Sequence, residues 1–187
     1  MAMSLDTLKD RIPDYAKDLR LNLSNIPTIA SLTPQQLWGT VLASALATGN
    51  ETVIQDVYAT ARQELSETAI TAAKAAHAIM GMNNIYYRFT HLVGNEHYAL
   101  MPARLRMNVI GNPGVDKIDF EVWSLAVSAV EGCGRCIEAH EATLVQHGLV
   151  REAIQDAIRI AAILKGVAVT LAAEAALAGC AQMASAA

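Results

Sequence analysis

Apolar residues along this chain recur at intervals of three and four, and no segment keeps the two-residue alternation of a half-buried strand. The pattern predicts an all-α fold. Ser4 caps a short helix that stops near Pro13, and a second covers Tyr15 to Leu23. Ser24 to Leu32, with Pro27, reads as a connecting loop. Thr33-Pro34-Gln35-Gln36 then gives a strong start, with Thr33 as cap, Pro34 in the first turn and Gln36 closing a capping box. Leu32 and Leu37 are spaced for a hydrophobic staple. That helix runs to Thr48 and stops at Gly49. Glu51 to Leu65 forms the next helix, and Ser66 caps a long one to about His91, which Gly81 and Asn83-Asn84 kink or bring close to a neighbour. His91 to Ala103 reads as loop and Arg104 to Ile110 as a short helix, ended by Gly111-Asn112-Pro113-Gly114. Asp116 caps a helix from Lys117 to Glu131, Gly132 breaks it, and Cys133 opens another that closes at Gly148. The last helix spans Arg151 to about Ala178.

A loose repeat runs through these elements. Trp38 and Trp123 each lie early in a helix ending at glycine, Ala69-Ile70 matches Ala153-Ile154, and Gly81 roughly matches Gly166, at an offset near 84 residues. The expectation is one all-helical domain over residues 1–187, with related halves at 33–92 and 116–178. At the turn equivalent to the cysteine motif the first half carries Gly49-Asn50-Glu51, so only the C-terminal half is active.

Composition narrows the function. Apolar residues make up 53% of the chain and aromatics only 5%, so close packing of small side chains must supply the core. The net charge of −4 and the lack of a Lys/Arg block argue against nucleic-acid and membrane-surface partners. The early charges at the N-terminus do not fit a signal peptide. The weakly charged stretch from Ile160 onward reads as a buried helix more readily than as a membrane span. A cytoplasmic protein is therefore expected, and its three cysteines do not suit a disulfide framework.

Cys133-Gly134-Arg135-Cys136 is the chemical centre. Residues three apart on a helix have Cβ atoms about 5–6 Å apart, and small adjustment reaches disulfide distance. A helix N-terminus and Arg135 both favour a thiolate, the reactive form. His140 lies four residues after Cys136 and seven after Cys133, on the same face, where an imidazole can take or return a thiol proton. If the helices flanking Gly132 run antiparallel, Glu121 lies at a similar height to His140 and can orient it or act as a base through water. Three other readings compete. The cysteines could be small core residues. Cys133, Cys136, His140 and Glu121 could bind zinc, although structural zinc usually draws on two separated ligand pairs. Glu121 alone could be a solvated carboxylate. His77 reads as a hydrogen-bonded core residue, His91, His97 and His147 as loop or helix-end residues, Cys180 as an unpaired thiol, and Met80-Gly81-Met82 as packing.

An ordered set of motifs resembles a known family over nearly the whole length. It comprises Tyr15-Ala16-Lys17-Asp18, Gln36-Leu37-Trp38-Gly39-Thr40, Ala78 through Asn84, Arg106-Met107-Asn108, Phe120-Glu121 with Trp123-Ser124, and Cys133 and Cys136 followed by Ala139-His140-Glu141. The chain resembles the AhpD-type alkylhydroperoxidases, within the carboxymuconolactone-decarboxylase-like group. The resemblance implies an all-helical subunit with an internal repeat, usually assembled as a homotrimer. It implies a dithiol enzyme with no tightly bound cofactor, passing electrons from dihydrolipoamide on a lipoyl-bearing protein to an AhpC-type peroxiredoxin and weakly reducing hydroperoxides itself. The family's catalytic set falls on Glu121, Cys133, Cys136 and His140. Members often carry His before the second cysteine; Arg135 stands there here, a permanent cation that cannot shuttle protons. Two functions compete with this one: a decarboxylase-like lyase working without the cysteine pair, and a zinc-stabilised binding module.

Overall fold

The computed structural model describes residues 5–185, with side chains to residue 180. Ser4, the expected first cap, lies outside the described residues. Among those residues there are helices and no strands. The helices are α1 (Asp6–Asp10), α2 (Lys17–Asn25), α3 (Pro34–Thr48), α4 (Glu51–Glu64), α5 (Glu67–Leu92), α6 (Glu96–Leu100), α7 (Asn108–Gly111), α8 (Lys117–Glu131), α9 (Gly134–Gln146) and α10 (Arg151–Ser185).

The capping chemistry works as the sequence predicts. Thr33 Oγ1 accepts from the Gln36 N–H at 3.2 Å, and the Gln36 side chain accepts from the Thr33 N–H at 3.1 Å. Ser66 Oγ accepts from Ala69 N–H at the start of α5, and Asp116 Oδ1 from Ile118 N–H at the start of α8. Gly49 and Gly132 end α3 and α8 in the left-handed region, at φ 68° and φ 72°, where an L side chain is strained.

Two helices form the centre. α3 packs against α4, α5, α8 and α10; α8 packs against α3, α5, α9 and α10. Residues 36–45 and 119–128 are all buried, so these helices are enclosed on every side. They cross closely because Gly39 has no side chain: a Cβ there would sit 2.1 Å from Trp123 Cε2. The Trp123 indole N–H donates to the Gln36 carbonyl at 3.2 Å, and Gln35 Nε2 donates to Asp119 Oδ2 at 2.7 Å. Pro34 and Lys117 begin helices 83 residues apart, Glu51 and Gly134 a second pair 83 apart, and Glu67 and Arg151 a third 84 apart. On that register Trp38 aligns with Glu121 rather than with Trp123.

Several expectations need correction. Residues 26–28 form a 3-10 turn inside the expected loop. His91 to Ala103 is not all loop: Asn95 Oδ1 accepts from His97 N–H and caps α6. The helix expected over Arg104 to Ile110 shrinks to α7, because Arg104 lies in the left-handed region at φ 53° and cannot join a right-handed helix. α5 is continuous, and a Cβ on Gly81 would meet nothing within 4 Å, so Gly81 marks no close approach. α10 is longer than expected and is buried along only part of its length. From Ala153 to Ala168 its inner face joins the core, but Val169 and Leu177 are exposed. Its Arg151–Cys180 stretch is long and apolar enough to cross a membrane by length and composition. Cys180 is an unpaired, exposed thiol.

His77 also departs from expectation. It is half-buried, and its Nδ1 is buried without a hydrogen-bond partner. Burial lowers its pKa below the ordinary 6.5, partly opposed by the Glu131 carboxylate.

Two predictions follow from this packing. Gly39→Ala should destabilise the fold by about 2–3 kcal/mol in urea unfolding, because the α3–α8 crossing must open. Adding Trp123→Leu should recover part of that loss. The folded state disfavours protonated His77, so stability should fall as the pH drops below about 6.5, where the unfolded chain takes up the proton first. Thermal melts of His77→Gln between about pH 7.5 and 5.5 should show a shallower decline than the wild type.

Candidate active site

The site is built around the reversal between α8 and α9. Gly132 ends α8, and its N–H and that of Cys133 return to the carbonyls of Ala129 and Ser128. α5 braces this corner. Arg88 Nη1 donates to the Glu131 carbonyl at 2.5 Å, and Ser128 Oγ donates to Asn84 Oδ1 at 2.9 Å. Cys133 is therefore fixed as the residue preceding α9, in extended backbone geometry, with its side chain over the free N–H groups of the first turn.

Cys133 and Cys136 form a disulfide in this structure, with Cα atoms 5.3 Å apart. Cys133 Sγ accepts from the Cys136 N–H at 3.3 Å, the contact that would stabilise a thiolate at that position. Cys133 is wholly buried, whereas Cys136 lines a cavity. Gly134 and Arg135 between them are exposed.

Glu121 is not the solvated carboxylate of the competing reading. It lies on the buried face of α8, 8% exposed, and its Oε2 is 2.7 Å from His140 Nδ1. A carboxylate so placed needs a partner, and the imidazole supplies it. The antiparallel hairpin inferred from residue spacing thus brings Glu121 to His140. On the other side of the ring, His140 Nε2 is 3.3 Å from Met80 Sδ. The Glu121 carboxylate on one side and the Met80 thioether on the other fix the plane of the ring.

A cavity of about 250 Å³ adjoins this ring and the disulfide. Its walls include Met80, Asn83 and Tyr87 of α5, Met107 before α7, and Cys136 and His140 of α9. Sequence reasoning placed Glu121, Cys133, Cys136 and His140 together, and the structure joins the first to the last by contact and the cysteines by a bond. It missed Met80 and Asn83. The available signal was that Met80, Asn83 and Tyr87 share one face of α5 at i, i+3 and i+7. His91, His97 and His147 are exposed and do not line the cavity. Among the described residues, no cluster of three His, Cys, Asp or Glu side chains is placed to hold a metal ion.

Comparison with known proteins gives the family. The carboxymuconolactone decarboxylase family matches residues 96–179, which include α8, α9 and the cysteine pair. The chain is 59% identical over 177 residues to the alkyl hydroperoxide reductase AhpD of Rhodospirillum centenum, covering 95% of both chains. It is 61% identical over 176 residues to that of Hyphomonas neptunium, covering 94% of this chain and 98% of the relative. With that of Maricaulis maris it shares 57% identity over 172 residues, covering 92% and 99%. A cysteine pair opening a helix, a histidine held by a buried carboxylate and likeness to these proteins along almost the full length together place the chain in the AhpD family of alkyl hydroperoxide reductases.

Proposed function

We propose that this protein is a dithiol oxidoreductase that takes electrons from dihydrolipoamide, passes them to an AhpC-type peroxiredoxin and reduces alkyl hydroperoxides slowly itself. The observation that carries this reading is the Cys133–Cys136 disulfide at a helix N-terminus, one sulfur facing a cavity beside the Glu121-held His140. The working form is a cytoplasmic homotrimer in which only the C-terminal half of an internal repeat is active, since Asn50 and Val53 occupy the positions of Cys133 and Cys136 in the first half.

The chemistry follows from exposure. A donor thiolate attacks Cys136, the sulfur that lines the cavity, and Cys133 leaves as a thiolate into the Cys136 N–H. His140 takes the proton from the incoming thiol, and Glu121 stabilises the imidazolium that results. The donor's second thiol then releases Cys136, leaving lipoamide oxidised and the protein as a dithiol. The dithiol reduces the peroxiredoxin disulfide by the same exchange in reverse. Arg135 is exposed at the cavity rim, a fixed positive charge beside the reacting sulfur.

The family match favours a second reading, a lyase that does not use the cysteines. Zinc fits the site less well. Both sulfurs would have to be thiolates, whereas here they are bonded to each other, and the histidine nitrogens are directed at Glu121 and Met80.

A coupled assay with NADH, dihydrolipoamide dehydrogenase, lipoamide, a bacterial AhpC and a peroxide separates these readings. Cys133→Ser and Cys136→Ser should each abolish NADH consumption. His140→Gln should lower turnover by about 10²-fold or more, and Glu121→Gln by about 10-fold to 10²-fold. NADH consumption retained in the double cysteine variant would refute the dithiol reading, and no turnover from folded, fully reduced wild type would sink the lipoamide-linked role and favour the lyase.

A further inference from the structure

We infer that Asn83 holds the reacting group of the substrate, its Oδ1 accepting the O–H hydrogen bond of an alkyl hydroperoxide; this rests on the peroxide-reducing function proposed above. Asn83 is 5% exposed and lines the cavity that Cys136 and His140 also line; its Oδ1 is enclosed with no hydrogen-bond partner, and a half-turn of the amide, whose two ends have nearly the same shape, turns that oxygen toward the cavity. A buried carbonyl oxygen left unpaired is costly, and native folds rarely tolerate one without a reason. The neighbouring Asn84 has a structural explanation: its Oδ1 accepts from Ser128 Oγ and ties α5 to α8. Its Nδ2 also lacks a partner, but Asn84 does not line the cavity. No comparable tie accounts for Asn83.

Its position suits the chemistry. Met80 and Asn83 lie one turn apart on the same face of α5, and Met80 Sδ touches His140 Nε2. Asn83 therefore projects from the helix face that runs along the reacting centre. Tyr87, Met107 and Ile110 make that side of the wall largely apolar, with Arg135 at the rim. The complementary ligand is an apolar molecule that carries one hydrogen-bond donor and reacts with a cysteine sulfur.

Two substrates of the proposed function meet that description: an alkyl hydroperoxide through its O–H, and a lipoyl arm through its amide N–H. The hydroperoxide has the greater need. Its donor sits on the oxygen that is attacked, so fixing that O–H also fixes the O–O bond relative to Cys136. A lipoyl arm is aligned by sulfur exchange itself, and its amide is remote from the bonds that change.

In the step that Asn83 orients, the Cys136 thiolate attacks the outer peroxide oxygen and the O–O bond breaks. The alkoxide leaves and takes a proton from His140, giving the alcohol. The outer oxygen and its hydrogen stay on sulfur as sulfenic acid. Cys133 then attacks Cys136, an S–S bond replaces the S–O bond, and the oxygen departs as water. Two thiols are oxidised to one disulfide, and one hydroperoxide is reduced to alcohol and water.

The test separates the two half-reactions in Asn83→Ala and Asn83→Leu, the second keeping the side-chain volume. Pre-reduced protein is mixed with tert-butyl or cumene hydroperoxide, and oxidised protein with dihydrolipoamide. Both variants should react with both hydroperoxides at least about 10-fold more slowly, a loss of about 1.4 kcal/mol of transition-state binding. Their reduction by dihydrolipoamide should stay within about twofold of wild type, and the melting temperature of Asn83→Leu should be no lower than that of wild type, since an unpaired buried oxygen has been removed. Equal slowing of both half-reactions, or slowing that tracks a lost melting transition in each variant, would assign Asn83 a structural role and overturn the inference. Slowing of the dihydrolipoamide step alone would move the contact to the lipoyl amide and overturn it too. Wild-type dithiol that leaves hydroperoxide unconsumed would refute the peroxide-reducing function itself, whatever the variants do.

Discussion

The contact between Glu121 and His140 sets the terms for the site. A carboxylate inside a helical core is stable only with a partner, and here the partner is an imidazole across one interhelical gap, 2.7 Å away. For the two to meet, α9 must fold back along α8 at the right height. Gly132 provides the reversal, and the Arg88 and Ser128 bonds hold it against α5. The same reversal leaves Cys133 at the opening of α9, where backbone N–H groups face its sulfur. Proton-handling pair and redox pair are thus two consequences of one corner in the chain.

That corner stands on a rigid base. α3 and α8 are enclosed helices that approach closely because Gly39 accepts the Trp123 ring against its backbone. Trp123 lies two residues after Glu121, so the contact that sets the α3–α8 spacing also limits the movement of Glu121 along its helix. α5 closes the far side and adds two groups to the cavity, Met80 against the imidazole and Asn83 with its unpaired oxygen. Catalytic geometry of this kind gains from being carried on packed helices instead of loops.

Much of this was legible in the sequence. The capping box at Thr33, the glycine stops at Gly49 and Gly132, and the caps at Ser66 and Asp116 are local chemistry, settled within four residues of chain. The meeting of Glu121 and His140 was legible because one tight turn separates their helices, so counting residues was enough. What lay hidden depends on distant parts of the chain. Met80 and Asn83 reach the site only through the packing of α5 against α8 and α9, which no local pattern encodes; Met80 read as filler and the asparagines as a kink or a close helix approach, the latter being what Asn84 makes with Ser128. Arg104 illustrates a different limit. Its left-handed backbone breaks an apolar pattern that otherwise suggested a helix from Arg104 to Ile110. The exposed end of α10 was missed because an Ala-rich helix has the same composition whether or not other helices cover it.

Counting products against sulfur chemistry tests the central claim most directly. Fully reduced protein would be given less than one equivalent of hydroperoxide, quenched at intervals with an alkylating reagent, and mapped by mass spectrometry. The account predicts one Cys133–Cys136 disulfide for each hydroperoxide consumed, with Cys180 still open to alkylation. Peroxide consumed without that disulfide, or oxidation that collects at Cys180, would contradict it.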